Sequence, residues 1–245
     1  MGRLTYHELR RRKRPHFQPL GGTLFVTFRL ADSILKSVVR YYKARRDWLK
    51  DQLKRVELRC VETQSAEHAG WLAQLQQLNR EWFIKCEDLL HREAVGPTWM
   101  REGPVADKVA ENLHRLDGKA YRLDAFSVMS NHVHTVFRPL VSREVMEEIL
   151  RSPDDSLARI PALAKIMHGL KGRSARECNL ILGRSGPFWE HESFDHVIRK
   201  GKFDQTIHYV LNNPVKIGLV QNWEDYQWNY CRKEMLERFR MSNML

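Results

Sequence analysis

Two histidines stand one residue apart in Val128–Phe137, VMSNHVHTVF, inside a run of β-branched and apolar residues. On a strand the side chains alternate, so His132 and His134 point to one face and Val133 to the other. Two neutral imidazoles side by side on a stiff backbone can share one metal ion. The spacing suits two polar residues on a solvated sheet face equally well. A further ligand and a reactive group are needed before the pair amounts to a mechanism.

Both are on offer in FDQTIHYVLNNPVKIGLV (Phe203–Val220). The spacing predicts a helix over Phe203–Asn213 stopped by Pro214, with Tyr209 and Asn213 on one face because they stand four apart. Asn213 offers a hard carbonyl oxygen, suited to Mg²⁺ or Mn²⁺ alongside imidazoles. Tyr209 offers a phenol that can attack phosphorus once a metal polarises the phosphate. The plainer alternative is a core tyrosine and an asparagine that ends a helix before proline.

The elements that must position these groups are legible in outline. Gly21–Leu30 (GGTLFVTFRL) reads as a first strand after paired glycines. From Ser33 to about Leu90 the apolar residues step by three and four, which predicts two helices broken near Thr63–His68. Gly96–Pro104 reads as a loop and Val105–Leu116 as a short amphipathic helix. Tyr121–Met129 and His132–Leu140 then form an antiparallel pair through a tight Ser130-Asn131 connection. A brief helix over Val141–Leu150, a longer one over Leu157–Asn179, a last strand over Phe194–Arg199 and the tyrosine helix complete the order. Gly169 and Gly172 weaken their helix by about 1 kcal/mol each, a cost consistent with close backbone approach to a ligand. With the helical stretch 33–118 treated as an insertion, the remainder reads as an α+β, ferredoxin-like βαββαβ split sheet backed by helices. The predicted layout is a basic arm over 1–20, a nuclease-like domain over 21–32 and 119–230, and a tail over 231–245.

Composition narrows the partners. The 245-residue chain carries a formal net charge of +11. Residues 1–20 hold Arg3, Arg10, Arg11, Arg12, Lys13 and Arg14 against Glu8, a net of +5. The stretch 159–202 holds nine Lys/Arg against four acids, another +5. Charge gathered this way suits a polyanion, which makes Arg10–Arg14, Lys165, Lys171, Arg173, Arg176 and Arg199 candidate phosphate contacts. Cys60, Cys86, Cys178 and Cys231 form no CxxC pair, and no apolar run approaches the roughly 18–20 residues that span a bilayer. Together with the lack of a signal peptide, these features predict a cytoplasmic, nucleoid-associated protein with reduced thiols and no membrane partner. No Walker-type phosphate loop is present, and no cysteine lies near the histidine pair to build a zinc finger.

Several stretches carry a resemblance. MSNHVHTVF resembles the histidine–hydrophobe–histidine (HUH) motif of single-tyrosine transposases, and HYVLNNPVKIGLV is similar to the tyrosine helix of the REP-associated tyrosine transposases. GGTLFVT resembles the Gly-Thr strand of that subgroup, with Leu24 where the motif usually has Trp. LKGRSARECN, FWEHESFDHVIR and WEDYQWNY occur in matching order. The resemblance covers residues 15–32 and 119–230, and says nothing of the insertion. It implies a nuclease that binds imperfect hairpins in single-stranded DNA, acting as a monomer or homodimer. His132 and His134 would hold a divalent cation, Mg²⁺ or Mn²⁺, with Asn213 as third ligand. Tyr209 would attack the scissile phosphate, leaving a 5′-phosphotyrosine and a free 3′-OH, and the reverse reaction would rejoin strands. Gly21, Gly22 and Thr23 join the expected DNA contacts.

Two other readings compete. One keeps the fold without the chemistry, as a domesticated regulator that binds structured nucleic acid. The other is a metal-dependent hydrolase in which His132, His134, His191 and Glu192 activate water. The helical periodicity and near-neutral charge of the insertion predict an α-hairpin that packs on the body or on a second copy, a protein–protein or positioning role in preference to gripping phosphate.

Overall fold

The computed structural model describes residues 21–59, 66–140 and 163–236. The basic arm, the predicted brief helix at 141–150, the predicted start of the long helix at 157–162 and the tail beyond 236 lie outside them. The chain divides into two compact units, one containing the described residues through Leu30 and those from Trp99 onward, the other Ala31–Thr98.

The first unit is α+β. Its strands are β1 (Leu24–Arg29), β2 (Tyr121–Val128), β3 (His132–Pro139), β4 (Phe194–Val197) and β5 (Asn229–Cys231), and its main helices are α3 (Gly103–Leu116), α4 (Leu163–Ile181) and α5 (Phe203–Leu211). The helices numbered α1 (Lys36–Arg59) and α2 (Ala66–Arg92) form the second unit. The strands make one antiparallel sheet in the order β4-β1-β3-β2-β5. β1 is buried along its whole length, as expected of a strand covered on both faces. Val26, Phe28, Val133 and Phe137 point to one side and pack on Val105, Val109 and Leu113 of α3 and on Ile166, Met167 and Leu170 of α4. The other side carries the histidines.

Three expectations change. α3 was placed in the insertion, yet it belongs to the sheet unit, because its apolar stripe has β2 and α4 to bury against. The Trp- and Tyr-rich end supplies a fifth strand, with Ala125, Phe126 and Ser127 of β2 facing Cys231, Tyr230 and Asn229. The predicted tail therefore begins inside the fold. Arg232 donates to both carboxylate oxygens of Asp117 at 2.8 Å and to the carbonyl of Leu123 at 2.7 Å. A β-bulge at Leu123/Ala125 leaves Asp124 buried beside these arginines, and burial lifts its carboxyl above the ordinary range against the pull of Arg122, Arg138 and Arg232.

The β2–β3 turn is the tightest constraint on the site. Its tip, Ser130-Asn131, is buried, so its backbone polar groups cannot rely on water. The N–H of Met100 donates to the Ser130 carbonyl at 3.1 Å and that of Leu30 to the Asn131 carbonyl at 2.8 Å. The turn is thus held by the residue just after β1 and by the segment leading into α3.

The second unit is an antiparallel helix pair with its own small core. Leu49 and Leu53 of α1 meet Leu75 and Leu78 of α2, and Trp82 and Leu90 close over Ile34. Its two ends meet at Gly96, whose φ of 81° and contact with the Asp32–Ser33 backbone leave no room for a Cβ. No helix among the described residues is long and apolar enough to cross a membrane.

Burial pushes the thiols of Cys178 and Cys231 up to about 12, so almost no thiolate exists at pH 8. In the native protein both should resist iodoacetamide for hours at pH 8 and react within minutes in denaturant, as read by peptide mass spectrometry. Native labelling at the rate of a free thiol would contradict the packing described.

Candidate metal centre and tyrosine helix

The histidine spacing becomes geometry on β3. His134 pairs with Thr27 and His132 with Arg29 across β1, while Ser127 of β2 faces His134 from the other edge. Both imidazoles are buried, so the solvated-surface reading of the pair does not hold. His134 Nδ1 lies 2.8 Å from the Thr27 hydroxyl and His132 Nδ1 lies 2.7 Å from Asn131 Oδ1. The two Nε2 atoms face each other at 3.0 Å.

These contacts constrain the protons. Asn131 Oδ1 can only accept, so His132 Nδ1 carries a hydrogen and its Nε2 presents a lone pair. Thr27 can donate or accept. When its hydroxyl donates to His134 Nδ1, His134 Nε2–H donates to His132 and the network closes as a neutral pair. When its hydroxyl accepts, both Nε2 lone pairs face one point, an arrangement that is repulsive unless a cation lies between them. Two nitrogens bound at about 2.1 Å and at right angles to one ion lie about 3 Å apart. The donor set therefore fits a divalent ion, with Asn131 and Thr27 setting the tautomers as outer hydrogen-bond partners do in metal sites.

Tyr209 reaches the same sheet face from α5. Ile207, Val210 and Leu211 bury against the body, and their neighbour Tyr209 sets its ring 5.6 Å from that of His134 and 5.8 Å from that of Phe25. Phe25 in turn stacks on His134 at 5.6 Å with an interplanar angle of 19°. The half-buried phenol thus sits beside the pair. Asn213 is placed differently from expectation. The helix stops at Leu211, and Pro214 opens a short helical turn, Asn213–Lys216, where its fixed φ and missing N–H cost nothing. Asn213 is buried, and its Nδ2 donates back to the Tyr209 carbonyl at 3.4 Å.

The predicted phosphate contacts divide. Lys165, Arg176 and Arg199 are exposed and form no ion pair among the described residues. Lys171 instead donates to the carbonyls of Glu190 and His191 at 3.0 and 3.2 Å, pinning the segment before β4 to α4. Arg173 pairs with Glu177 at 2.9 Å. The Glu177 carboxyl is held below its usual range first by the Asn112 amide, with Arg173 and Lys108 adding to it. Both cations are therefore already engaged within the fold. The Thr23 hydroxyl accepts from Arg138 at 3.3 Å, and Gly21 occupies the exposed turn before β1 with φ 69°. Gly22 follows it, half-buried. Gly169 and Gly172 meet open space where a Cβ would stand, so internal packing does not explain them. Arg10, Arg11, Arg12, Lys13 and Arg14 lie outside the described residues.

Thr27 and Phe25 are not legible as site residues, since their roles come from a strand register that no local pattern encodes. Asn131, adjacent to His132 in a predicted turn, gave the one usable hint. Arg29, across from His132, pairs with Glu190 at 3.2 Å, which takes that glutamate's charge up within the fold.

No protein-family profile and no curated protein matches the chain. Among solved structures, one described as a REP-associated tyrosine transposase bound to a REP hairpin aligns at 14% identity, covering 90% of this chain and 82% of that one, with a TM-score of 0.39. A likeness of that order bears no weight, and the chemistry rests on the geometry above.

Loss of the outer partners should loosen the ion. Thr27→Val and Asn131→Ala should each lower Mn²⁺ affinity by about 10–100-fold with the fold retained, as read by calorimetry and circular dichroism. Unchanged affinity in both would remove these residues from the site.

Proposed function

We propose that this chain is a transposase-like enzyme that nicks and rejoins single-stranded, hairpin-forming DNA, built on a ferredoxin-like sheet. The carrying observation is the convergence of two Nε2 atoms at 3.0 Å with the Tyr209 ring packed on His134. The strand order β4-β1-β3-β2, with α3 and α4 on one face, supports the ferredoxin-like assignment. The HUH and tyrosine-helix motifs support the reaction class.

In this reading Tyr209 Oη attacks the scissile phosphorus. A phosphorus–oxygen bond to tyrosine forms and the bond to the 3′ oxygen breaks. The phenolic proton passes to solvent, and the departing 3′ oxygen takes one up. A 5′-phosphotyrosine and a 3′-OH result, and attack by a 3′-OH reverses the step. One phosphodiester replaces another, so no nucleotide cofactor is required. His132, His134 and Asn213 would hold a divalent cation, Mg²⁺ or Mn²⁺, which when bound neutralises and polarises the phosphate. That help matters because a phenol of reference pKa about 10 is mostly protonated at neutral pH. Lys165, Arg176 and Arg199, with the basic arm Arg10–Arg14 and the Gly21–Thr23 turn, would hold the DNA backbone.

Tyr209→Phe removes one oxygen and keeps the ring on Phe25 and His134, so DNA binding should survive while nicking and the covalent adduct vanish together. Hairpin oligonucleotides labelled on each side of the nick, run on denaturing gels, should show protein attached to the downstream fragment only. His132→Ala should also abolish nicking, and chelator should mimic it. An adduct in Tyr209→Phe would overturn the assignment, and so would wild-type cleavage without any adduct, which instead favours activated water.

A further inference from the structure

The helical unit is near-neutral as a whole, but its charge is not evenly spread. α1 carries nine Lys/Arg against Asp47, Asp51 and Glu57, a net of +6, whereas α2 carries three Lys/Arg against four acids. The helix pair buries Leu49 and Leu53 of α1 in its own core. Roughly 80–140° round the helix from those leucines, Tyr41 and Trp48 stand 58% and 53% exposed. Seven residues at 100° each return to within about 20° of the same direction, and at 1.5 Å per residue the two rings are roughly 10 Å apart along the axis. Trp48 is braced edge-on by Trp71 of α2, with ring centroids 5.6 Å apart. Arg45 projects about 40–60° to one side of the two rings and donates to the Tyr41 hydroxyl at 3.3 Å. Lys36 and Arg55 are paired with Asp32 and Asp51. Arg40, Lys43, Arg45 and Lys54 form no ion pair among the described residues.

Tyr41 meets Tyr42 edge-on at 5.3 Å, and both Tyr41 and Trp48 still leave more than half of their surface open on a strongly basic helix. We infer that this α1 face is a second binding surface for single-stranded DNA, in which bases stack on Tyr41 and Trp48 while Arg40 and Arg45, flanking the rings on either side, meet the phosphates. Stacking platforms set in positive surroundings are how single strands are held without sequence preference, since every base has a π-face. A duplex hides those faces and does not fit. A second copy meeting this face through its own α1 would set +6 against +6. The inference is independent of Tyr209 chemistry.

Fluorescein-labelled (dT)₂₀ and its 5-iododeoxyuridine-substituted form provide the test, with the full-length chain. Photocrosslinks should map by peptide mass spectrometry to Tyr41 and Trp48. Tyr41→Ala/Trp48→Ala should weaken anisotropy-measured binding about tenfold or more without changing the helical circular dichroism. Arg40→Gln/Arg45→Gln should flatten the slope of log K against log salt by about 1.4, since each lost phosphate contact removes roughly 0.7. All three readouts report binding and not strand cleavage, so a failure of the nicking proposal leaves this result intact. Absence of crosslinks at both aromatics with unchanged affinity in the double variant would overturn the inference. It would also be overturned if the face served a bilayer or a second copy instead. The first case would show as binding to phosphatidylserine vesicles lost in the double variant while (dT)₂₀ affinity is kept, the second as a halved mass in light scattering with (dT)₂₀ affinity likewise kept.

Discussion

Two imidazoles closed off from water and 3.0 Å apart at their Nε2 atoms set the terms for everything around them. A buried polar nitrogen left without a partner costs on the order of 1–3 kcal/mol, so each ring must be held by its far side. Asn131 and Thr27 do this. The first sits in the β2–β3 turn and the second on the neighbouring strand, so the site requires both the tip of the hairpin and the β1–β3 register to be correct. A one-residue slip of β3 would turn both imidazoles into the α3/α4 core and bring Val133 onto the site face.

That requirement explains an otherwise costly feature, the burial of a hairpin tip. Turns normally leave their carbonyls to water, whereas here Met100 and Leu30 supply the donors. Leu30 and Trp99 also mark where the chain leaves and re-enters the sheet unit. The helical unit is therefore spliced in at a point whose two flanks are tied down by the hairpin tip. Within the sheet unit, those bonds keep the histidine strand in register across the site of insertion.

The sheet divides its labour by face. The α3/α4 side is apolar and closely packed, with Phe137 stacked on Tyr121 at 4.5 Å. The other side combines polar nitrogens with an aromatic row, in which Phe25 touches His134, Tyr209 and His196. The Phe25 ring holds its neighbours' positions by area and shape and, having no polar atom, offers the imidazoles no competing hydrogen bond. The cations divide in a similar way. Lys171, Arg173 and Arg232 serve the fold through carbonyls and carboxylates, whereas Lys165, Arg176 and Arg199 are exposed and form no ion pair among the described residues.

Alternation along VMSNHVHTVF places His132 and His134 on one face whatever the strand pairs with, because the period of two is a property of the extended backbone itself. Helical periodicity likewise marked α1, α2, α3 and the tyrosine helix, and the two charge clusters could be counted directly. What local pattern could not reveal were relations between residues far apart in the chain. Thr27 meets His134 across 107 residues, and α3 joins the sheet because β2 and α4 offer it an apolar surface. The tyrosine helix ends two residues early, and β5 exists because β2 had an open edge. The residue types and their local directions were thus determined by sequence alone. Which groups stand within hydrogen-bonding distance was decided only by strand register and packing, since those depend on contacts that close long loops.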